Sequence, residues 1–222
     1  MCEPLILLNQ VSRKYKTGGT TVTALNNVTC KVKPGDRIAV LGASGSGKST
    51  LLNIMGGLDE PTEGEILWPG LDLNKPLRPG QIGFVFQMAS LIPTLSVIEN
   101  VALPLLLSGW KKEAAYPLAM EILHKLNLEG LADKLPDELS GGQLQRSAAA
   151  RVLTLKPKVI LADEPTGQLD RAAASSLLDV LLSESQTHDM ALVIATHDIS
   201  AAERIDIRWV IGHGVMAVNA AC

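Results

Sequence analysis

Aromatic side chains are scarce in this chain: three tryptophans, two tyrosines and two phenylalanines among 222 residues. That leaves too little π-surface for the stacking platforms that hold single-stranded nucleic acid. An excess of basic charge is also missing. Lysine and arginine number 20 against 23 aspartates and glutamates, for a net charge of −3. The electrostatic footprint of a general nucleic-acid binder is therefore absent, and no nucleic-acid partner is expected. Cysteines are few and odd in number. Cys2, Cys30 and Cys222 form no CxxC pair, which argues against a disulfide framework and a zinc site and fits a reducing compartment. Long apolar runs are lacking too. No stretch approaches the roughly 18 consecutive apolar residues of a spanning helix, and the longest candidate, Val101 to Leu107, contains Pro104. The opening MCEPLILLNQVSRKYK has an apolar run with no basic segment ahead of it, so it does not read as a signal peptide.

What remains is an ordinary globular composition, 46% hydrophobic and 19% charged. The length supports a full core without disulfide or metal staples, in one domain with room for an inserted subdomain. Val28, Cys30 and Val32 alternate with Thr29, Lys31 and Lys33, the pattern of a half-buried strand. Pro34-Gly35-Asp36 ends it as a turn. Arg37 to Leu41 is a short run suited to a central strand, followed by glycines and a helical segment from about Lys48 to Leu58. Glu65 to Trp68, Gln81 to Phe86, Val159 to Ala162 and Ala191 to Ala195 are further strand candidates. The last two are continuous apolar runs, as expected of parallel strands covered on both faces.

Between about Ser96 and Leu155 no good strand is found. Leu118, Ile122 and Leu126 recur at helical spacing in Glu113 to Leu126, which predicts a helical subdomain inserted into the strand–helix alternation. Arg208 to Val218 predicts a hairpin around Gly212-His213-Gly214.

Three elements carry chemistry. Gly42-Ala43-Ser44-Gly45-Ser46-Gly47-Lys48-Ser49, followed by Thr50, fits G-x-x-x-x-G-K-[ST] and lies between a predicted strand and a predicted helix. Glycines let successive N–H groups point at phosphates, and the helix start adds partial positive charge. Lys48 is placed to reach the β- and γ-phosphates and Ser49 to ligate Mg²⁺. The strand Val159 to Ala162 runs into Asp163 and Glu164 at the sheet edge where ligands bind. Asp163 is placed to hold Mg²⁺ and Glu164 to act as general base on water. Ser140-Gly141-Gly142-Gln143 after Leu139 opens a second helix start suited to an anion.

Together these motifs resemble the nucleotide-binding subunit of ATP-binding-cassette (ABC) transporters, whose signature reads LSGGQ. The resemblance runs from about Leu5 to Val218, and it implies an α/β P-loop NTPase fold with a RecA-like core. To that core it adds an N-terminal antiparallel β-subdomain and an α-helical signature subdomain. On it, residues 1–95 and 156–222 form the β-subdomain and catalytic core, and 96–155 the helical subdomain. Residue by residue, Gln87 matches the glutamine that senses Mg²⁺ and contacts the membrane partner. His197 matches the histidine that touches the γ-phosphate, Leu169-Asp170 the D-loop, and Tyr15 the aromatic that stacks on adenine. ATP and Mg²⁺ are the implied cofactors, and a head-to-tail homodimer is the implied state, each signature covering the other chain's ATP. Met88, Leu91, Ile92 and Trp110 lie where the family receives a short cytoplasmic helix of its membrane subunit, while Leu95 and Val97 read as core.

Ala162 to Gly167 and Leu91 to Val101 narrow the resemblance. They look like the group that serves lipoprotein release, macrolide-type and peptide export, haem export and cell division. That implies a permease subunit with four transmembrane helices and a peripheral place on the cytoplasmic face of the inner membrane. Gln168, Ser147 to Arg151 and His213 depart from the group's usual residues, and none touches a phosphate ligand. No appended regulatory domain is expected. A soluble relative acting on DNA would split its motifs around a long coiled coil, and no heptads lie between Lys48 and Ser140. A ribosome-acting relative would carry two cassettes. A regulatory ATPase of a cell-division or cell-wall hydrolase complex stays open, because the ATPase machinery is shared.

Overall fold

The structure is a computed structural model that describes residues 3–220, so Cys2 and Cys222 lie outside the described residues. The order is β1 (Ile6–Thr17), β2 (Thr20–Val32), β3 (Arg37–Leu41), α1 (Lys48–Met55), β4 (Glu63–Leu67), β5 (Ile82–Val85), α2 (Val97–Leu107), α3 (Lys112–Lys125), α4 (Gly141–Leu153), β6 (Val159–Asp163), α5 (Arg171–Thr187), β7 (Ala191–Thr196), α6 (Ile199–Ala202), β8 (Ile207–Gly212) and β9 (Val215–Ala220).

Two sheets form. A three-stranded antiparallel sheet has the order β2-β1-β4, and a six-stranded sheet the order β5-β6-β7-β3-β8-β9. All pairs of the larger sheet are parallel except the terminal hairpin of β8 and β9. β3, β6 and β7 are buried on both faces, which explains their apolar runs. On β6, Val159 and Leu161 face one core, shared with the antiparallel sheet and α1. Ile160 and Ala162 face the other, shared with α2 to α5. The small sheet instead alternates: Val28, Cys30 and Val32 point in and their neighbours out, as the sequence predicted. Burial pushes the Cys30 thiol up to about 12, so it stays protonated and inert at neutral pH.

Two expectations needed adjustment. The helix after the glycine-rich loop ends at Met55, three residues short of Leu58, because Gly56 and Gly57 follow and Gly57 turns left-handed at φ 63. The apolar run at Val101 to Leu107 belongs to a longer helix that begins at Val97. Ser96 and Glu99 form a reciprocal cap there, and Pro104 is accommodated in the last turn. No helix among the described residues is long and apolar enough to cross a membrane.

The parallel arrangement puts the ends of β3, β5, β6 and β7 on one edge. Four parts of the candidate site follow directly from those ends: the glycine-rich loop after Leu41, Gln87 two residues past Val85, Glu164 after Asp163, and His197 after Thr196.

Candidate functional site

The loop Gly42 to Gly47 is held open by close backbone packing rather than by side chains. Gly47 sits at φ 110, and a Cβ there would run into the Ala24 carbonyl oxygen on β2. A Cβ at Gly42 would meet the Ile211 carbonyl and the Ser46 hydroxyl. The terminal hairpin buttresses the loop from behind. The Gly214 N–H donates to the Ser46 carbonyl at 3.1 Å and its own carbonyl accepts from Asn26 at 2.9 Å. His213, at φ 50, makes the turn with its side chain exposed, so the histidine in place of an acidic residue costs the site nothing.

A cleft of about 470 Å³ opens over this loop. Ser44, Gly45, Gly47, Lys48, Ser49 and Thr50 line it from the loop and α1, and Gln87, Glu164 and His197 from the other strand ends. The structure thus brings together residues separated by more than half the sequence. Lys48 is buried, and its ammonium donates to the Gly42 carbonyl at 2.8 Å and the Ala43 carbonyl at 3.2 Å. It also lies 3.6 Å from Glu164. Among the described lining residues it is the one side chain with a permanent positive charge.

Glu164 is only 11% exposed, and its backbone is left-handed at φ 46. A non-glycine residue held there is strained, and the fold supplies the restraint, since its N–H donates to the Ala195 carbonyl at 2.9 Å. His197 Nδ1 lies 3.0 Å from both carboxylate oxygens of Glu164. The carboxylate is therefore aimed into the cleft by a strained backbone and steadied by an imidazole on one side and an ammonium on the other. Such a group can take a proton from a water placed beside it.

Asp163 lies beneath the cleft. Burial raises its carboxyl above the usual range, with the Ser49 hydroxyl pulling it back, Glu164 adding to the rise and Lys48 opposing it. Its Oδ1 is buried with no hydrogen-bond partner. That orphan acceptor beside the Ser49 hydroxyl fits a small divalent cation with oxygen ligands. No cluster of three or more His, Cys, Asp or Glu among the described residues forms a protein-only metal site, so phosphate oxygens would complete the shell.

Gly42, Ala43, Ser46 and Asp163 are expected site residues outside this cleft lining, and so are three further sets. Tyr15 is half-buried on β1, its hydroxyl donating to Asp59 at 2.6 Å and its ring covered on one face by the Arg13 guanidinium, 4.6 Å from the centroid. A base can stack only on the other face. Ser140 to Gln143 start α4 at the margin of the cleft rather than in its lining: a Cβ on Gly141 would come 3.8 Å from Oε1 of the lining residue Gln168. There the Ser140 hydroxyl accepts from the Gln143 N–H at 3.3 Å, and Gln143 Oε1 accepts from the Ser140 N–H at 2.8 Å. Leu169-Asp170 leads into α5, with Leu169 packed beside Gly142 and Asp170 capping α5 through the N–H groups of Ala172 and Ala173.

Sequence reasoning missed several residues. Ala24, Gly167 and Gln168 also line the cleft; only the departure at Gln168 offered a hint. Gln145, buried on α4, donates to the Phe86 carbonyl at 3.0 Å and so ties the start of that helix to the backbone just before Gln87. Asn100, fully buried, accepts from the Ile92 N–H at 2.7 Å and donates to the carbonyls of Ile92, Leu95 and Ser96. The Asn at the start of a capped helix was the available signal.

A glycine-wrapped helix start with a buried lysine, on a parallel sheet covered by an antiparallel sheet and a helical arm, defines a P-loop nucleoside-triphosphatase of the cassette type. The family described as "ABC transporter" matches residues 25–167. The chain belongs to that family and is the ATP-binding, ATP-hydrolysing subunit of a bacterial ABC transporter. It is 39% identical to the lipoprotein-releasing system ATP-binding protein LolD of Blochmanniella floridana, over 97% of this chain and 95% of the relative. With the protein of the same name from Legionella pneumophila (strain Paris), the identity is 43% over 95% and 96%. The ATP-binding cassette MJ0796, solved as a dimer in a post-hydrolysis state with ADP and Pi, superposes with a TM-score of 0.89. It is 37% identical, over 98% of this chain and 100% of that one. Neither named relative is a cell-division ATPase.

Proposed function

We propose that the chain works as one half of a head-to-tail dimer in a lipoprotein-releasing type of transporter. It would dock on a permease subunit with four transmembrane helices at the cytoplasmic face of the inner membrane, and residues 96–155 would move as the signature-bearing arm. The observation that carries this reading is a mismatch within one chain. The cleft holds Lys48, Ser49, Gln87, Glu164 and His197, while the second anion-binding helix start, Ser140 to Gln143, lies outside its lining with Ser140 and Gly141 exposed. A second copy facing the cleft supplies that missing wall. The dimeric state of the solved cassette and the name shared by the LolD relatives support it.

On this reading the N–H groups of Gly42, Ala43, Ser44, Gly45, Ser46 and Gly47 take the phosphates, and Lys48 leaves its two carbonyls for the β- and γ-phosphates. Thr50 follows in the first helical turn. Ser49 and Asp163 would hold Mg²⁺, with Gln87 as a further ligand, and the ion would supply neutralising charge to the phosphates. Glu164 accepts the proton of the attacking water. His197, freed from Glu164, donates towards the γ-phosphate. Tyr15 stacks its open face on adenine. Gly141 and Gly142 offer their unpaired N–H groups to the γ-phosphate of the facing copy.

The exposed apolar residues Met88 (76%), Ile92 (38%), Leu107 (76%) and Trp110 (48%) support the permease dock. Val97 is fully buried and Leu95 partly so, in line with a core role for them, and Leu91 is only partly exposed.

The test joins two residues. Glu164→Gln retains shape but cannot take the proton, so hydrolysis should slow by roughly 10²–10⁴-fold while binding persists. With ATP and Mg²⁺ it should accumulate as a dimer on size-exclusion chromatography. Adding Ser140→Arg should return it to a monomer. A dimer indifferent to Ser140→Arg would end the head-to-tail reading.

A further inference from the structure

The docking face contains a feature that apolar contact alone does not explain. Between the end of β5 and helices α2 and α4 lies a groove of about 310 Å³. Phe84 and Phe86 are stacked in its lining with centroids 4.4 Å apart, and Leu58 and Leu107 contribute exposed aliphatic surface. On one wall Val152 of α4 packs directly onto the backbone of Gly83, where a Cβ would collide with it. Set into this apolar lining are two arginines, Arg78 and Arg151, and no acidic side chain.

Neither guanidinium has a carboxylate partner among the described residues. Arg151 spends its donors on Ser90, Nη1 on the carbonyl at 2.8 Å and Nη2 on the hydroxyl at 3.0 Å. Burial alone lowers its pKa, with no acidic neighbour to offset it. Arg78 is poorer still, since its Nη1 is buried with no partner at all. A guanidinium nitrogen buried without a partner is unfavourable unless a charge of the opposite sign arrives with the occupant. Arginine is also the cation suited to bidentate pairing with a planar anion.

We propose that the groove receives a segment of the membrane subunit bearing one carboxylate between apolar side chains. The carboxylate pairs with Arg78 and the apolar neighbours cover Phe86 and Leu107. This rests on the docking reading above and adds to it what the partner must carry. A lipid headgroup does not match, because it is polar all around its phosphate whereas the walls beside Arg78 are aromatic and aliphatic.

The experiment co-expresses the full chain with its membrane subunits and measures association in detergent, with binding of a fluorescent ATP analogue as the check on folding. Arg78→Gln should weaken association about 30-fold, the low end for truncating one member of a buried charge pair. Arg78→Glu should abolish it, and ATP-analogue binding should be unchanged in both. Replacing acidic residues of the partner's cytoplasmic segments one at a time by arginine should restore association with Arg78→Glu at a single position. If no such replacement restores it, the carboxylate pairing is wrong. If both Arg78 variants associate normally while Leu107→Asp does not, the dock stands and the charge inference falls. If Leu107→Asp also associates normally, the docking reading itself falls.

Discussion

The chain contains two helix starts built to meet an anion, and they are built differently. At α1 the loop is wrapped in glycines, closed by packing against β2 and the terminal hairpin, and loaded with a buried ammonium. At α4 the helix caps itself, Ser140 and Gln143 exchanging hydrogen bonds, and the motif stays at the surface with no cation in it. The first start is held by the fold and depends on it. The second is complete as a helix end, and on the proposed reading its glycines answer to the nucleotide of a facing copy.

Substitutions can break that contrast. The largest effect is expected from Lys48→Ala, which removes the charge from the enclosed start. ATP hydrolysis should fall by about 10²–10³-fold, as for loss of one transition-state donor, and nucleotide affinity should fall with it. Steady-state hydrolysis at the wild-type rate in the presence of the membrane partner would show that Lys48 is misassigned. Next comes Gly47→Ala. A side chain at φ 110 that also meets the Ala24 carbonyl should cost about 1–3 kcal/mol, read as a lower midpoint in urea unfolding of the nucleotide-free chain. An unchanged midpoint would mean that the loop is not held by the fold after all.

The self-capped start should respond more mildly. Ser140→Ala deletes the cap acceptor and should cost about 1 kcal/mol in the same unfolding measurement. The smallest effect, and the most informative, belongs to Gly141→Ala. Its Cβ would find open space up to the Gln168 side chain at 3.8 Å. The change should leave the midpoint equal or raise it by no more than about 1 kcal/mol. On the head-to-tail reading the ATP-dependent dimer of the Glu164→Gln background should nonetheless be lost, because a Cβ at this helix start would crowd the phosphates of the facing copy's nucleotide. A destabilised monomer would make the two starts alike and remove the contrast.

Much of this arrangement was legible in the residues. β3, β6 and β7 are uninterrupted apolar runs because both faces are covered, and each ends at a residue whose chemistry marks the sheet edge. The helix start at Lys48 and the turn at His213-Gly214 are written in glycine. What the pattern did not disclose is instructive. β1 escapes the alternation rule because its register shifts at three points along β2 and Gln10 turns left-handed. α5, 17 residues long, carries a diluted apolar stripe of Leu177, Leu178 and Leu181 among serines and alanines. Tyr15 reads from sequence as a free aromatic, and only the fold brings Arg13 over its ring and Asp59 to its hydroxyl. The unpaired guanidinium of Arg78 has no sequence signature, since an arginine before a proline looks like any surface charge.

Asn100 lends the molecule a mechanical property. With one acceptor and two amide hydrogens it gathers the backbone from Ile92 to Ser96 onto the first turn of α2. The stretch that follows the partner-facing residues therefore has little slack of its own. A displacement imposed at the docking face passes into the helical arm as a displacement of the arm, rather than being absorbed in a bending loop. On the head-to-tail closure proposed above, a joint without play carries the stroke on to Ser140.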